Sequence, residues 1–176
     1  MNCNQVFEIL CELKTVRGRM ELAATRQNGA TVFVDYAHTP DAIETAICAF
    51  RPHVMGRLIA IIGAGGDRDP MKRPLMGAAA AEYADYVIVT DDNPRSENAK
   101  EIREMVLEGI ESTENIAEFG DRAEAILCAV DMLEPGDGLL ITGKGHETGQ
   151  IVGEDILPFN DVEQASLAVA ALDGFL

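Results

Sequence analysis

Four short, almost unbroken apolar runs punctuate the chain: Thr31–Val34, Leu58–Ile62, Tyr86–Thr90 and 139–142. Each is bounded by turn-forming residues, the pattern of a strand buried on both faces. Between and after them the apolar positions recur every three or four residues, over 41–51, Lys72–Tyr83, 99–109, 122–133 and 162–172, which predicts amphipathic helices. A short run at 117–119 predicts another strand, and 150–159 reads as a hairpin turning at Gly153-Glu154-Asp155. Apolar strands alternating with helices predict an α/β fold: a Rossmann-like, mostly parallel sheet with helices on both faces. The late hairpin is expected to add an antiparallel edge.

Residues 4–16 carry a separate helical pattern, with Val6, Ile9, Leu10 and Leu13 on one face. The segment Val16-Arg17-Gly18-Arg19-Met20-Glu21 follows before the main pattern begins. A helix with no local partner suggests the end of a preceding domain. The expected division is 1–21 as terminal helix and linker, and 22–176 as the main domain.

Composition narrows the partners. Thirty acidic residues against 14 basic ones give a net charge of −16, the opposite of the positive footprint a nucleic-acid binder needs. An anionic membrane surface is disfavoured for the same reason. No apolar run approaches the roughly 18–20 residues of a membrane span, and Glu8 and Glu12 stand where a signal peptide would be basic or apolar. Cys3, Cys11, Cys48 and Cys128 form no CxxC pair and have no histidine at metal-ligand spacing. Cys48 and Cys128 lie within apolar helical patterns, where cysteine packs as a small hydrophobe. Reduced thiols and a cytoplasmic location are expected, with no metal bound by these residues.

In open α/β sheets ligands sit outside the carboxyl ends of the strands, so the residues after each strand carry the chemistry. After the first comes Asp35-Tyr36-Ala37-His38-Thr39-Pro40-Asp41. Thr39 and Pro40 read as a helix cap and first position, which leaves Asp35 and His38 unexplained at the mouth of the sheet. After the second, Gly63-Ala64-Gly65-Gly66 begins like a dinucleotide fingerprint and breaks at Arg68, where the third glycine should stand. That disfavours a hydride-transfer enzyme. The charges of Asp67, Arg68, Asp69, Lys72 and Arg73 suit either an anion- or zwitterion-handling loop or a solvated turn. After the third strand, Asp91-Asp92-Asn93-Pro94-Arg95 sets an acid and an arginine three residues apart on a turn. There the carboxylate can take an ammonium and the guanidinium fork a carboxylate. After the last, Gly143-Lys144-Gly145-His146-Glu147 leaves Lys144 and Glu147 either as a salt bridge or as ligand-binding groups. Gly138 to Lys144 mimics a phosphate-binding loop but has Gly145 at the Ser/Thr position, and Gly138 precedes the strand instead of following it. Four polar clusters on one edge imply a single ligand crevice.

These clusters, taken in order with Gly18-Arg19-Met20-Glu21 ahead of them, resemble the motifs of the Mur ligase family, and within it those of the diaminopimelate-adding type. The resemblance covers nearly the whole chain, but only the end of the family's central domain and its C-terminal domain. It implies a part of an ATP-dependent ligase that joins meso-diaminopimelate to UDP-N-acetylmuramoyl-L-Ala-D-Glu through an acyl phosphate. It implies that Arg19, Asp35 and His38 face ATP, and that Arg68, Asp92, Asn93, Pro94, Arg95, Gly143 and Glu147 face diaminopimelate. ATP and Mg²⁺ would serve the full-length enzyme, with neither bound stably by this chain. The family's phosphate-binding loop, its carbamylated lysine and its nucleotide-sugar domain have no counterpart here; the missing N-terminal and central domains would be partners in the same polypeptide. Arg17 stands where the family often has proline, and Val162 where an arginine often follows the aspartate. The competing readings are a stand-alone diamino-acid binding or regulatory module and a nucleotide-dependent oxidoreductase.

Overall fold

The computed structural model describes residues 15–112 and 114–175. The helix expected over 4–16 lies outside them except for Thr15 and Val16, which are in coil. The main domain begins with strand β1 (Glu21–Thr25), then β2 (Thr31–Val34), helix α1 (Pro40–Phe50), a 3₁₀ turn (Arg51–His53) and β3 (Leu58–Ile62). It continues with α2 (Lys72–Tyr83), β4 (Tyr86–Thr90), α3 (Ala99–Leu107), β5 (Ile116–Phe119), α4 (Arg122–Asp131) and β6 (Gly138–Ile141). The hairpin β7 (Gly149–Val152) and β8 (Asp155–Pro158) and the helix α5 (Asp161–Leu172) close the fold.

The six-stranded sheet has the order β1-β2-β6-β3-β4-β5. All its pairs are parallel except β1 with β2. Alternate residues of the central strands feed two separate cores. Leu58, Ala60 and Ile62 of β3 pack with Val87, Val89 and Leu140 beneath α1, α2 and α3. Ile59 and Ile61 pack with Ile88, Leu139 and Ile141 beneath α4 and α5. Every residue of β3 is fully buried, and each large side chain there contributes on the order of 1.5–3 kcal/mol of burial.

Two local details set the edges. The hairpin forms as expected but stands as its own two-stranded sheet, and the antiparallel edge of the main sheet is β1. That strand, Glu-Leu-Ala-Ala-Thr, is only half-buried and bulges between Leu22 and Ala24, so its apolar pattern is too weak to read as a buried run. The helix starts are fixed by side-chain caps: Thr39 accepts from Ala42 N, Asn98 from Lys100 N, Asp121 from Ala123 and Glu124 N, and Asn160 from Val162 and Glu163 N. Among the described residues no helix is long and apolar enough to cross a membrane.

Candidate functional site

The carboxyl ends of β2, β3, β4 and β6 bring all four polar clusters to one end of the sheet. Together they enclose an open cavity of about 440 Å³. Of the residues expected to face diaminopimelate, Arg68, Asp92, Asn93, Arg95, Gly143 and Glu147 line it. Pro94 does not; its carbonyl packs on the backbone of Gly66, where a Cβ would come within 1.9 Å. His38 lines the same cavity, joined by Tyr36, Asp69 and Lys72, which the sequence had not singled out as ligands. Asp35 instead lines a neighbouring groove of about 490 Å³ with Met20, Thr39 and the small residues of α1. Arg19 lies over the ring of Tyr36, 4.6 Å from its centroid.

The polar groups of the cavity are only partly spent on one another. Asn93 is 2% exposed and acts as the hub. Its amide donates to Glu147 Oε2 at 2.9 Å, and its carbonyl oxygen accepts from Lys144 Nζ at 3.0 Å and from Ile151 N at 2.9 Å. Lys144 is fully buried and reaches Glu147 Oε2 at 3.3 Å, so it neutralises the acid from beneath. Glu147 Oε1 takes no hydrogen bond among the described residues.

Asp92, 8% exposed, has neither a hydrogen bond nor an ion pair on its carboxylate among the described residues. Burial pushes its carboxyl above the usual range, and the positive charges of Arg122 and Lys144 only partly offset this. Gly143 sits at φ +110°, and a side chain there would meet Asp92 Oδ2 at 2.6 Å. The glycine therefore keeps the space beside the carboxylate open. Asp91, the other acid of the motif, is turned away and paired with Arg103.

Opposite these acids stand two guanidinium groups. Arg95 Nη1 donates to Gly66 O at 2.7 Å and to Asn93 O at 3.4 Å, and Arg68 Nη1 donates to Asp67 O at 3.0 Å; Nε and Nη2 of both arginines make no hydrogen bond among the described residues. Arg73, which does not face the cavity, bonds Gly65 O at 3.3 Å and Glu97 at 2.8 Å and so fixes the glycine loop.

On the nucleotide side, Asp35 is already occupied in part. Its Oδ2 accepts from Met20 N and its Oδ1 from Ala37 N, both at 2.8 Å. His38 Nδ1 lies 2.7 Å from Tyr36 O, so Nδ1 carries the proton in the neutral ring and Nε2 is left available. Among the described residues no group of three or more His, Cys, Asp or Glu stands close enough to hold a metal ion.

The protein is an α/β domain with helices on both faces of its sheet, and acids and arginines gather in one open cavity at the carboxyl end of that sheet. The family described as Mur ligase, glutamate ligase domain matches residues 18–145, and the chain belongs to it. It is 54% identical over 94% of its length to a UDP-N-acetylmuramoyl-L-alanyl-D-glutamate–2,6-diaminopimelate ligase of Bradyrhizobium diazoefficiens, covering 33% of that protein. The ligase of the same description from Zymomonas mobilis is 55% identical over 94% of this chain, again with 34% of the relative covered. A solved structure of a ligase of that description superposes with a TM-score of 0.84 at 36% identity, over 98% of this chain and 35% of the other. The chain thus spans about a third of the length of these relatives.

Proposed function

We propose that the cavity is the amino-acid site of an ATP-dependent ligase that attaches meso-diaminopimelate to UDP-N-acetylmuramoyl-L-Ala-D-Glu. The observation that carries this reading is the pairing of unspent groups: Asp92 and Glu147 Oε1 on one side, Arg95 and Arg68 on the other, in one cavity. The far end of meso-diaminopimelate is an α-amino acid, so its ammonium goes to the acids and its carboxylate to the guanidinium forks. Lysine lacks that carboxylate and leaves Arg95 and Arg68 unanswered, which is how a charged site rejects a near-analogue.

In this reading the nucleotide's γ-phosphoryl group moves to the glutamate carboxylate of the UDP-linked dipeptide. The free amine of diaminopimelate then forms the C–N bond, and the C–O bond to phosphate breaks. This chain contributes placement: it fixes the distal end of the amino acid so that the near amine points out of the cavity. The nucleotide is met by Arg19, whose guanidinium lies over Tyr36 and makes no hydrogen bond among the described residues, and by the spare lone pairs of Asp35. His38 lines the cavity, next to Thr39, which borders both cavity and groove. These groups fit the ribose and phosphate edge of ATP. The described residues offer no ligand set for Mg²⁺, and none is assigned to it. The rest of such a ligase would supply the phosphate-binding loop and the nucleotide-sugar domain.

The test is an NMR titration of the isotope-labelled chain with meso-diaminopimelate and, separately, with lysine. Shifts at Asn93, Arg95 and Gly143 that saturate at lower concentration for diaminopimelate are expected. With ATP and the UDP-linked dipeptide added, the chain alone should release no phosphate. Equal response to the two amino acids would refute the reading of the site.

A further inference from the structure

Arg95 holds a backbone conformation that arginine seldom adopts, with φ at +52°. The hairpin secures it. Arg95 N donates to Ile151 O at 3.0 Å, and Gly153 N donates to Arg95 O at 2.7 Å, so β7 and the hairpin turn together grip both polar groups of that one residue. The same strand holds the two residues before Pro94. Gln150 Nε2 donates to Asp92 O at 2.8 Å, and Ile151 N donates to Asn93 Oδ1 at 2.9 Å. Four hydrogen bonds, three from β7 and one from the turn, therefore join the hairpin to Asp92, Asn93 and Arg95. The hairpin makes no ladder with the main sheet, and β8 is exposed along its whole length. A lone two-stranded hairpin is marginal in water, so its order and that of the Asp92–Arg95 loop support each other.

We propose that the β7–β8 hairpin is the specificity frame of this site, and that Gln150 is a positioning residue that sets Asp92 and Arg95 at the spacing of an ammonium and a carboxylate on one carbon. The inference rests on the amino-acid site proposed above. Gln150 touches no ligand; it acts through the loop. Lysine, which has nothing for Arg95 to grip, draws on the frame only through its ammonium, whereas diaminopimelate draws on it fully. Binding of diaminopimelate should in turn tighten the hairpin.

The experiment compares the chain with its Gln150→Leu variant, which keeps the bulk of the side chain and removes the donor. Affinities for meso-diaminopimelate and lysine are measured by NMR titration, with amide exchange followed at Gly153 and along β7. In the variant, diaminopimelate affinity should fall about tenfold, the scale of one lost hydrogen bond, with lysine affinity falling much less. Diaminopimelate, and not lysine, should slow exchange at Gly153 in the wild-type chain. In an Arg95→Ala background, Gln150→Leu should cause a smaller further loss than in the wild-type chain, because part of its effect passes through Arg95. A variant that loses both ligands equally, or a loss that adds in full to that of Arg95→Ala, would overturn the role of the hairpin. So would hairpin amides that exchange at the same rate with and without diaminopimelate. If the wild-type chain itself prefers neither amino acid, the site reading fails and takes the frame with it. A wild type that discriminates and a variant that discriminates equally well remove the frame alone.

Discussion

The guanidinium of Arg122 and the carboxylate of Asp161 form a two-armed pair with no solvent exposure, Nε to Oδ1 and Nη2 to Oδ2 each at 2.8 Å. The remaining donors of Arg122 reach Thr142 O at 2.8 Å and Asp91 O at 3.3 Å. One side chain thus ties the starts of α4 and α5 to the ends of β4 and β6, one residue before Asp92 and Gly143. Burial alone would favour the neutral guanidine, but Asp161 outweighs it and holds the group firmly charged. Removing one partner strands the other in the interior. Arg122→Met should therefore destabilise the fold by about 3–5 kcal/mol in urea denaturation. Replacing both residues with apolar ones should cost far less, and a double loss equal to the sum of the single ones would show that the pair is not a unit.

Asp92 should show the opposite balance. Its carboxyl is raised by burial, so the folded state holds the proton more tightly than the unfolded chain does. Below the unfolded value both states are protonated and Asp92 carries no penalty. As pH rises through the folded value the native state gives up that proton, and stability is lost and stays lower. Asp92→Asn should match the wild type in acid and exceed it near neutrality by about 1 kcal/mol, the scale of an unpartnered buried group. The same variant should lose diaminopimelate. Urea denaturation across a pH series, paired with a ligand titration, reads both. A variant less stable than wild type at neutral pH would show that the carboxylate has a partner after all.

Asp35 has two tasks. Both of its oxygens hold backbone N–H groups, and one of these belongs to Met20, which sits at φ +41°. Asp35→Ala should release the turn that carries Arg19, seen as faster amide exchange at Met20 with the sheet unchanged. In a complete ligase carrying this domain, the apparent KM for ATP should rise about ten- to hundredfold, as a lost charge-assisted hydrogen bond predicts. If KM rises while the Met20 amide stays protected, the acid meets the nucleotide directly and the turn does not need it.

The central strands β3, β4 and β6 were legible because each is buried on both faces and so reads as an unbroken apolar run; Leu58–Ile62 leaves no other interpretation. β1 was not, since Leu22, Ala23 and Ala24 are half-buried or exposed and the bulge breaks their alternation. The charged loops could be placed at one end of the sheet because topology puts all carboxyl ends of parallel strands together. What the sequence could not reveal is which members of each cluster face inward. Asp91 and Asp92 are neighbours of the same type, yet one pairs with Arg103 and the other faces the cavity. Lys144 reads as either half of a salt bridge or a ligand-binding group, and it is buried beneath the site and paired with Glu147. Arg122 and Gln150 lie outside every cluster, one in the first turn of a helix and one in a hairpin; the only sequence signal for either is a charge inside the apolar face of α4.

The sharpest expectation concerns Arg95. Its guanidinium is already aimed: Nη1 is anchored on Gly66 O, and Gly65 leaves the room, since a Cβ there would lie 2.8 Å from Nη1. A pre-aimed fork spends little of its binding energy on ordering. Arg95→Ala should therefore weaken meso-diaminopimelate by on the order of 100-fold or more, about 3 kcal/mol for a lost bidentate pair. Lysine binding should change far less, because lysine never engaged that arginine. Arg95→Lys should recover only part of the loss, as an ammonium meets a carboxylate at one point and not two. Gly65→Ala should fall between wild type and Arg95→Ala, because the atom it crowds is the movable end of a side chain. Titration of the four proteins with both amino acids gives the ratio directly. If Arg95→Ala lowers both affinities by one factor, Arg95 shapes the loop and does not read the distal carboxylate.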